Sequence, residues 1–279
     1  MVSIITVPAF SDNYIWLICD KNKTKGIIVD PGDPRQLLKT LEEDSIQPIA
    51  ILLTHLHFDH ANGISKLKDK YPELPIYGPK TEIELLTKGA VPSDYGPATN
   101  CANEITHPLE GNETLDFKEI GCSFKIMNVP GHTSGHIAYY DKINNKLFCG
   151  DTLFAGGCGR VFNGTMDDLH HSLQKIAQLP EDTLLYCAHE YTLDNLGFAK
   201  WVEPDNQALL QRIEADREKI DRDEATVPSL LSTELATNPF LRVSQAHVIA
   251  KVEEATHKTL HNSAQVFAAM RNWKDTEYD

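Results

Sequence analysis

Three histidines and an aspartate fall within six consecutive positions, at His55, His57, Asp59 and His60. They follow the apolar run 49–53, whose length and β-branched residues predict a buried strand. Side chains two apart point the same way in an extended segment, so His55 and His57 can bind one ion together. Asp59 and His60 lie where the chain begins to coil and can serve a second ion. Imidazole plus carboxylate suits zinc, iron or manganese rather than calcium.

Three further candidates, His132, Asp151 and His189, each follow a predicted strand. Taken singly, each has an ordinary structural alternative, such as capping of a turn by Asp151. His136 competes with His132, which we prefer because it lies nearer the end of its strand. Their shared position at strand ends, together with the first motif, predicts a single metal-binding rim.

The predicted elements that position these residues are mostly short strands up to His189 and helices beyond Tyr191. The pattern favours a two-sheet sandwich with outer helices, followed by a helical appendage without a convincing strand. We therefore expect a β-rich domain at residues 1–189, which carries the candidate ligands, and a helical domain at residues 190–279. For residues 79–112 the sequence predicts a short helix followed by a long loop that borders the cleft. The helices predicted in the appendage are 206–223, 245–255 and 263–273, with Asn262 in the N-cap region of the last.

The composition and net charge argue against several classes of function. The chain has 279 residues and a net charge of −14, which argues against nucleic acid or an anionic membrane as the main partner. The sequence contains neither an apolar run of about 20 residues, as a membrane span needs, nor a visible signal peptide. Its six cysteines are scattered without a CxxC pair, as expected of reduced thiols. We expect a monomeric cytoplasmic protein.

The motifs together resemble those of a known family. The metal motifs are similar to those of the metallo-β-lactamase superfamily, and they read THLHFDH, PGHTSGH, CGDTLF and AHEYT. Additional stretches resemble the hydroxyacylglutathione hydrolases, the glyoxalase II family, and these read DNYIW, VDPGD, GGCGR and NPFLR. The resemblance implies an α+β fold, a four-layer αββα sandwich with a C-terminal all-helical domain.

The resemblance also implies a ligand set for two divalent metal ions, with zinc expected first and iron or manganese as alternatives. His55, His57 and His132 match the ligands of the first ion. Asp59, His60 and His189 match those of the second, and Asp151 matches the carboxylate that bridges the two. His136 then has a supporting role.

The family reaction is hydrolysis of S-D-lactoylglutathione to glutathione and D-lactate, the second step of methylglyoxal detoxification. Two cations sharing a hydroxide can run it, because they stabilise the charge that builds as the hydroxide attacks the thioester carbonyl. Asp59 is expected to orient that hydroxide.

For the glutathione moiety, the resemblance points to Arg160, Tyr191 and Arg242, whereas Phe162 stands where some relatives have tyrosine. Other readings of the chain are another hydrolase of this fold, a persulfide dioxygenase, or a non-catalytic binding protein.

Overall fold

A computed structural model of the chain describes residues 2–89 and 101–278. The chain forms two compact units that alternate along the sequence. The first comprises Met1–Asn128 and Thr133–Gly150, and the second comprises Val129–His132 and Asp151–Asp279. The division predicted at residue 189 separates a catalytic domain from a substrate-binding domain. This functional division stays a prediction.

The first unit begins with a mixed sheet whose strands lie in chain order. Its strands are β1 (Ser3–Ala9), β2 (Asn13–Cys19), β3 (Lys25–Val29), β4 (Gln47–Leu52), β5 (Ile76–Pro79) and β6 (His107–Leu109). The first three pair antiparallel, and β3 through β6 pair parallel. The parallel strands place their carboxyl ends at one edge of the sheet, and the chain leaves β4 there to enter the first metal motif.

Helices of the first unit bury one face against this sheet. They are α1 (Pro34–Glu43), α2 (Phe58–Ala61), α3 (Ile64–Lys70) and α4 (Lys80–Thr87). Helix α1 begins where the Asp33 side chain accepts the Arg35 N–H, and it buries Leu37 and Leu41. Helix α3 buries Ile64 and Leu67, and these side chains join the apolar core of the sheet. Burial of these faces anchors the loops that follow β3 and β4.

Four antiparallel strands complete the first unit, and their order in space follows the chain. They are β7 (Thr114–Phe117), β8 (Cys122–Asn128), β9 (Ile137–Asp141) and β10 (Lys146–Gly150). The Tyr139 hydroxyl on β9 donates to the Leu53 carbonyl at 2.7 Å, and Phe117 on β7 meets Tyr77 on β5 edge to face. These contacts show that the two groups of strands face each other as layers of a sandwich.

The second unit is mainly helical. In chain order it contains β11 (Leu153–Phe154), β12 (Gly157–Cys158), α5 (Met166–Ile176), β13 (Leu184–Cys187), α6 (Thr192–Val202), α7 (Gln207–Ile220), β14 (Ser229–Leu230), α8 (Leu231–Thr237), α9 (Ala246–Thr256) and α10 (Ser263–Trp273). A 3-10 turn at Pro239–Leu241 and a π turn at Lys274–Tyr278 follow α8 and α10 respectively. Asn262 caps α10 by accepting the Gln265 N–H, as predicted.

Three sequence predictions about elements need correction. A strand does follow Tyr191, because the two-residue β14 pairs with β13. Helices α6 and α8 were not predicted, since their apolar residues show no clear helical period. The segment predicted as a long loop contains a 3-10 turn at residues 101–104 and the strand β6, whereas residues 90–100 lie outside the described residues. Across the described ranges, no helix is both long and apolar enough to cross a bilayer.

Candidate metal centre

The first motif lies immediately after β4, in a tight segment that leads into α2. His55 and His60 are fully buried and His57 nearly so. The ring centroids of His55 and His57 are 4.6 Å apart, and each histidine offers a ring nitrogen within 4.8 Å of the other. His60 lies on the short helix α2, and its ring centroid is 4.0 Å from that of His55. The end of β4 and the first turn of α2 therefore bring three imidazoles together in a buried space.

Asp30, at the end of the neighbouring strand β3, orients this motif. Its Oδ1 accepts the Thr54 N–H at 2.8 Å, and its Oδ2 accepts the Thr54 hydroxyl at 2.7 Å. The same Oδ2 lies 3.1 Å from His60 Nδ1. A carboxylate at Nδ1 favours a proton there, which leaves Nε2 as the metal-binding nitrogen of His60. Sequence reasoning did not assign Asp30 this role, although an aspartate at the end of the adjacent parallel strand was a usable signal.

Asp59 is the most accessible member of the first motif, with about one third of its side chain exposed. Its Oδ2 accepts a hydrogen bond from Asn13 Nδ2 at 2.8 Å and lies 3.4 Å from His60 Nε2. Gly32 permits the close approach of this segment, since a Cβ at that position would come within 1.7 Å of the Asp59 carbonyl oxygen. Asp59 is thus held in one orientation and still faces solvent.

Asp151 is the centre of a second cluster, in the second unit. Its Oδ2 lies 3.5 Å from His132 Nε2 and 3.4 Å from His189 Nε2, and all three side chains are buried. One carboxylate oxygen flanked by two imidazoles is a donor set that suits divalent transition metals. The structure brings His132, Asp151 and His189 together from segments that lie far apart in the sequence.

The His132 ring is oriented by the backbone of the turn after β12. His132 Nδ1 lies 2.8 Å from the Arg160 carbonyl oxygen. Because a carbonyl oxygen can only accept, Nδ1 carries the proton and Nε2 is the nitrogen that faces Asp151. Gly159 makes this packing possible, since its Cβ would come within 2.0 Å of the Asp151 carbonyl oxygen.

Helices of the second unit hold the loop that precedes this turn. Its backbone groups at residues 154–158 bond to four buried side chains, Asn195, Glu234, Asn238 and Arg271. The Glu234 carboxylate accepts the Gly156 N–H, and the other three donate to carbonyl oxygens. Sequence reasoning did not identify these residues. Residues of the helical region therefore support the loop that leads to the turn beside His132.

His136, the competitor of His132, lies in the first unit and stacks on His55 with ring centroids 4.6 Å apart. It is fully buried, and its neighbour Ile137 donates its N–H to the Thr54 carbonyl at 2.9 Å. This packing supports the orientation of His55, which agrees with the supporting role that the resemblance implies.

Tyr191 and Phe162 are exposed aromatic residues beside two of the candidate ligands. The Tyr191 ring stacks on His189 at 4.6 Å with an interplanar angle of 10°, and Phe162 meets His132 edge to face at 5.1 Å. Both side chains are partly exposed, Tyr191 to 38% and Phe162 to 46%. Contact of Tyr191 with a substrate stays a prediction.

The two candidate arginines are engaged by carboxylates. Arg160 is largely exposed, and its Nε lies 3.5 Å from Asp275 Oδ1. Arg242 forms a two-pronged ion pair with the buried Glu203, at 2.8 and 3.0 Å, and donates to the Leu235 carbonyl. It lines an open cavity of about 530 Å³ with Glu203, His247 and Lys251 among its walls. Glutathione contacts of both arginines stay predictions.

The fold and the donor clusters define the class. Residues 10–189 match the profile of the metallo-β-lactamase superfamily. A crystal structure titled BLEG-1 B3 metallo-β-lactamase superposes with a TM-score of 0.62 at 24% identity, covering 86% of this chain and 99% of that one. TTHA1623, solved in a di-iron-bound form, matches 67% of this chain and 91% of its own at 29% identity with a TM-score of 0.53. The predicted αββα fold with a helical C-terminal region is confirmed.

Relatives of similar length identify the family. Residues 190–277 match the profile of the hydroxyacylglutathione hydrolase C-terminus. Hydroxyacylglutathione hydrolases from Nitrosomonas eutropha and Aeromonas hydrophila are each 44% identical over 99% of this chain and 99% of their own. That of Pseudomonas aeruginosa is 43% identical over the same shares. The chain belongs to the hydroxyacylglutathione hydrolases, a family of enzymes within the metallo-β-lactamase superfamily.

Proposed function

We propose that this protein hydrolyses S-D-lactoylglutathione, or a closely related 2-hydroxyacylglutathione, to glutathione and a D-hydroxy acid. In the cell this is the second step of methylglyoxal detoxification. The observation that carries the proposal is the match to hydroxyacylglutathione hydrolases over 99% of the chain, at 42–44% identity. The match includes the helical region, and residues 190–277 match a profile specific to the C-terminus of this family.

The donor set fits two divalent cations, with zinc first and iron or manganese as alternatives. His55, His57 and His132 would hold the first ion, and Asp59, His60 and His189 the second, with Asp151 shared by both. When bound, such a pair lowers the pKa of water and stabilises negative charge on a carbonyl oxygen. The support comes from the buried imidazoles of the first unit and from Asp151 between His132 and His189 in the second.

The chain's own residues orient the reactants. Asn13 holds the Asp59 carboxylate, and we infer that Asp59 accepts a hydrogen bond from the attacking water and directs it at the thioester carbonyl. Asp30 and the Arg160 carbonyl hold the protons of His60 and His132 on Nδ1. A thiolate leaving group needs little acid assistance, so the site requires no separate general acid.

The glutathione moiety would be bound by Arg160, Tyr191 and Arg242, with residues 1–189 as the catalytic domain and 190–279 as the substrate-binding domain. Glutathione carries two carboxylates, which guanidinium groups recognise as forks. Exchange of the Glu203 ion pair for a substrate carboxylate would be part of binding at Arg242. We further propose a cytoplasmic monomer whose partner is this small thioester rather than nucleic acid or membrane.

The test is hydrolysis of S-D-lactoylglutathione by purified protein, followed as loss of thioester absorbance, with metal content measured on the same sample. We expect chelator-sensitive turnover and about two ions per chain. In the same assay Arg242→Lys should raise KM more than it lowers kcat, because it alters contact with a remote part of the substrate.

Other results point elsewhere. Two ions without turnover would move the proposal to another thioester or ester hydrolase of this fold. One iron with oxygen-dependent activity on a persulfide would indicate a dioxygenase. A protein that binds no metal and turns over no substrate would be a non-catalytic binding protein.

A further inference from the structure

Glu82, on helix α4, places a fully buried carboxylate between two segments that carry candidate metal ligands. Its Oε2 accepts the Leu56 N–H at 2.6 Å, and its Oε1 accepts the Thr133 hydroxyl. Leu56 stands between His55 and His57, and Thr133 directly follows His132. One carboxylate thus binds the backbone of the first motif and the side chain next to the third ligand.

The residues around Glu82 allow its carboxylate to be buried and hydrogen-bonded. Burial raises the pKa of the carboxyl to about 7, while the hydrogen bonds from Thr133 and Leu56 act in the opposite direction. Gly135 lets α4 approach, because a Cβ there would lie 2.5 Å from Glu82 Cγ and 3.0 Å from the Glu82 nitrogen. An unpaired carboxyl in such a place is costly, so the two bonds account for its presence.

We propose that Glu82 is a positioning residue for the metal centre, which holds the backbone at Leu56 and the turn at Thr133 so that His55, His57 and His132 can bind one ion. This inference rests on the proposed function, since it presumes that these histidines bind metal. Glu82 itself is not among the proposed metal ligands.

The assignment predicts that one ion depends on Glu82 more than the other. Both bonds from Glu82 adjoin the three ligands of the first ion. Two ligands of the second ion have supports of their own, because Asp30 contacts His60 and Asn13 binds Asp59. Loss of Glu82 should therefore weaken the first ion selectively. A merely structural role would weaken both ions alike or neither.

The experiment is zinc titration of the full-length metal-free protein against a chromophoric chelator. For Glu82→Ala we expect one of the two binding constants to fall by about tenfold or more, as for other residues that support metal ligands, and the other to stay near its wild-type value. Glu82→Gln should retain most of the affinity, because its amide can accept from Leu56 and donate to Thr133. Amide exchange at Leu56 should be faster in Glu82→Ala than in Glu82→Gln.

Matched variants keep the inference testable if Glu82→Ala folds poorly. Thr133→Val removes one of the two bonds and should show a smaller loss at the same ion, whereas Thr133→Ser keeps the hydroxyl and should resemble wild type. Asp141→Ala is the control, because Asp141 is an equally buried carboxylate that accepts the Ser123 and Ile143 N–H groups at the end of β9, away from the candidate ligands in sequence. It should lower the melting temperature without separating the two affinities.

Equal loss at both ions, or unchanged affinities with only a lower melting temperature, would overturn the role of Glu82. Wild-type protein that binds none of zinc, iron and manganese would instead overturn the proposed function. The two failures are therefore distinguishable by metal titration of the wild type and the variant.

Discussion

Asp151 has the most demanding position among the candidate ligands, because a single carboxylate oxygen faces the imidazoles of both His132 and His189. A negative charge between two cations offsets their mutual repulsion, which neutral ligands cannot do. The orientation of His132 in turn depends on a carbonyl oxygen, and that of His60 depends on Asp30. At the residue scale, the centre is therefore defined by the groups behind the ligands as well as by the ligands.

Asp151→Asn tests the proposal that two ions share this carboxylate. The substitution keeps the size of the side chain and removes its charge, so both ions should bind at least about tenfold more weakly and turnover should fall with them. Metal content by elemental analysis and zinc titration measure the effect. Asp167→Asn, at an exposed position in the first turn of α5, is the control and should bind metal normally. Full occupancy with normal turnover in Asp151→Asn would refute the bridging role.

At the scale of elements, α10 and the turn after it reach the loop that supports His132. Arg271 on α10 donates to the Cys158 carbonyl at 3.1 Å and pairs with Asp275 at 2.8 Å. Asp275 also lies 3.5 Å from Arg160 Nε, and the Arg160 carbonyl faces His132. These contacts connect the last helix to a candidate metal ligand through one short loop.

Arg271→Met tests this connection. Methionine fills much of the same space but leaves the Cys158 carbonyl without its donor, so we expect a loss of about 1–3 kcal/mol in the free energy of unfolding. The affinity for metal should also fall, because the loop no longer holds His132 in place. Chemical denaturation and zinc titration measure the two effects. The control is Arg222→Met, at an exposed ion pair on the same unit, which should change neither. Unchanged metal affinity in Arg271→Met would mean that the loop holds without α10.

On the scale of the whole molecule, all six cysteines are free and buried. Burial raises the pKa of Cys19 and Cys158 to about 11 and that of Cys101 and Cys187 to about 12, from an ordinary value of 9.0. The thiolate is the reactive form, so a rise of two pKa units lowers its fraction roughly 100-fold near neutral pH. The folded protein is thus protected against thiol chemistry.

We expect the thiols of the native protein to react slowly with a disulfide reagent at pH 8. In the denatured protein all six thiols should react at once, with six equivalents of the reporter released per chain. Because burial raises the pKa of these thiols in the folded state, the protonated thiols contribute to the stability of the fold below pH 9. This contribution is lost as the pH rises through about 11 to 12. Unfolding measured between pH 8 and pH 11 checks the sign. Rapid reaction of several thiols in the native state would contradict the burial of these groups.

The sequence by itself determined the family, the candidate ligands at four strand ends and most of the elements that carry them. Strand β4, the turn into α2 and the Asn262 cap of α10 depend on residues near one another in the chain, so spacing and residue type predict them. Helix α6 escaped prediction because it is buried on several sides and begins without a side-chain cap. The two-residue β14 exists only through pairing with β13.

Only the tertiary structure decided which residues support the ligands. Glu82 meets Thr133 across 51 positions of sequence, and Arg271 meets Cys158 across 113. A lone glutamate or arginine in a helix carries no local sign of its partner, because such a contact depends on how distant elements pack. Buried polar groups must nevertheless find partners, so folding commits each of these side chains to specific partners. The sequence names the candidate ligands, whereas the packing of the chain determines what holds them in place.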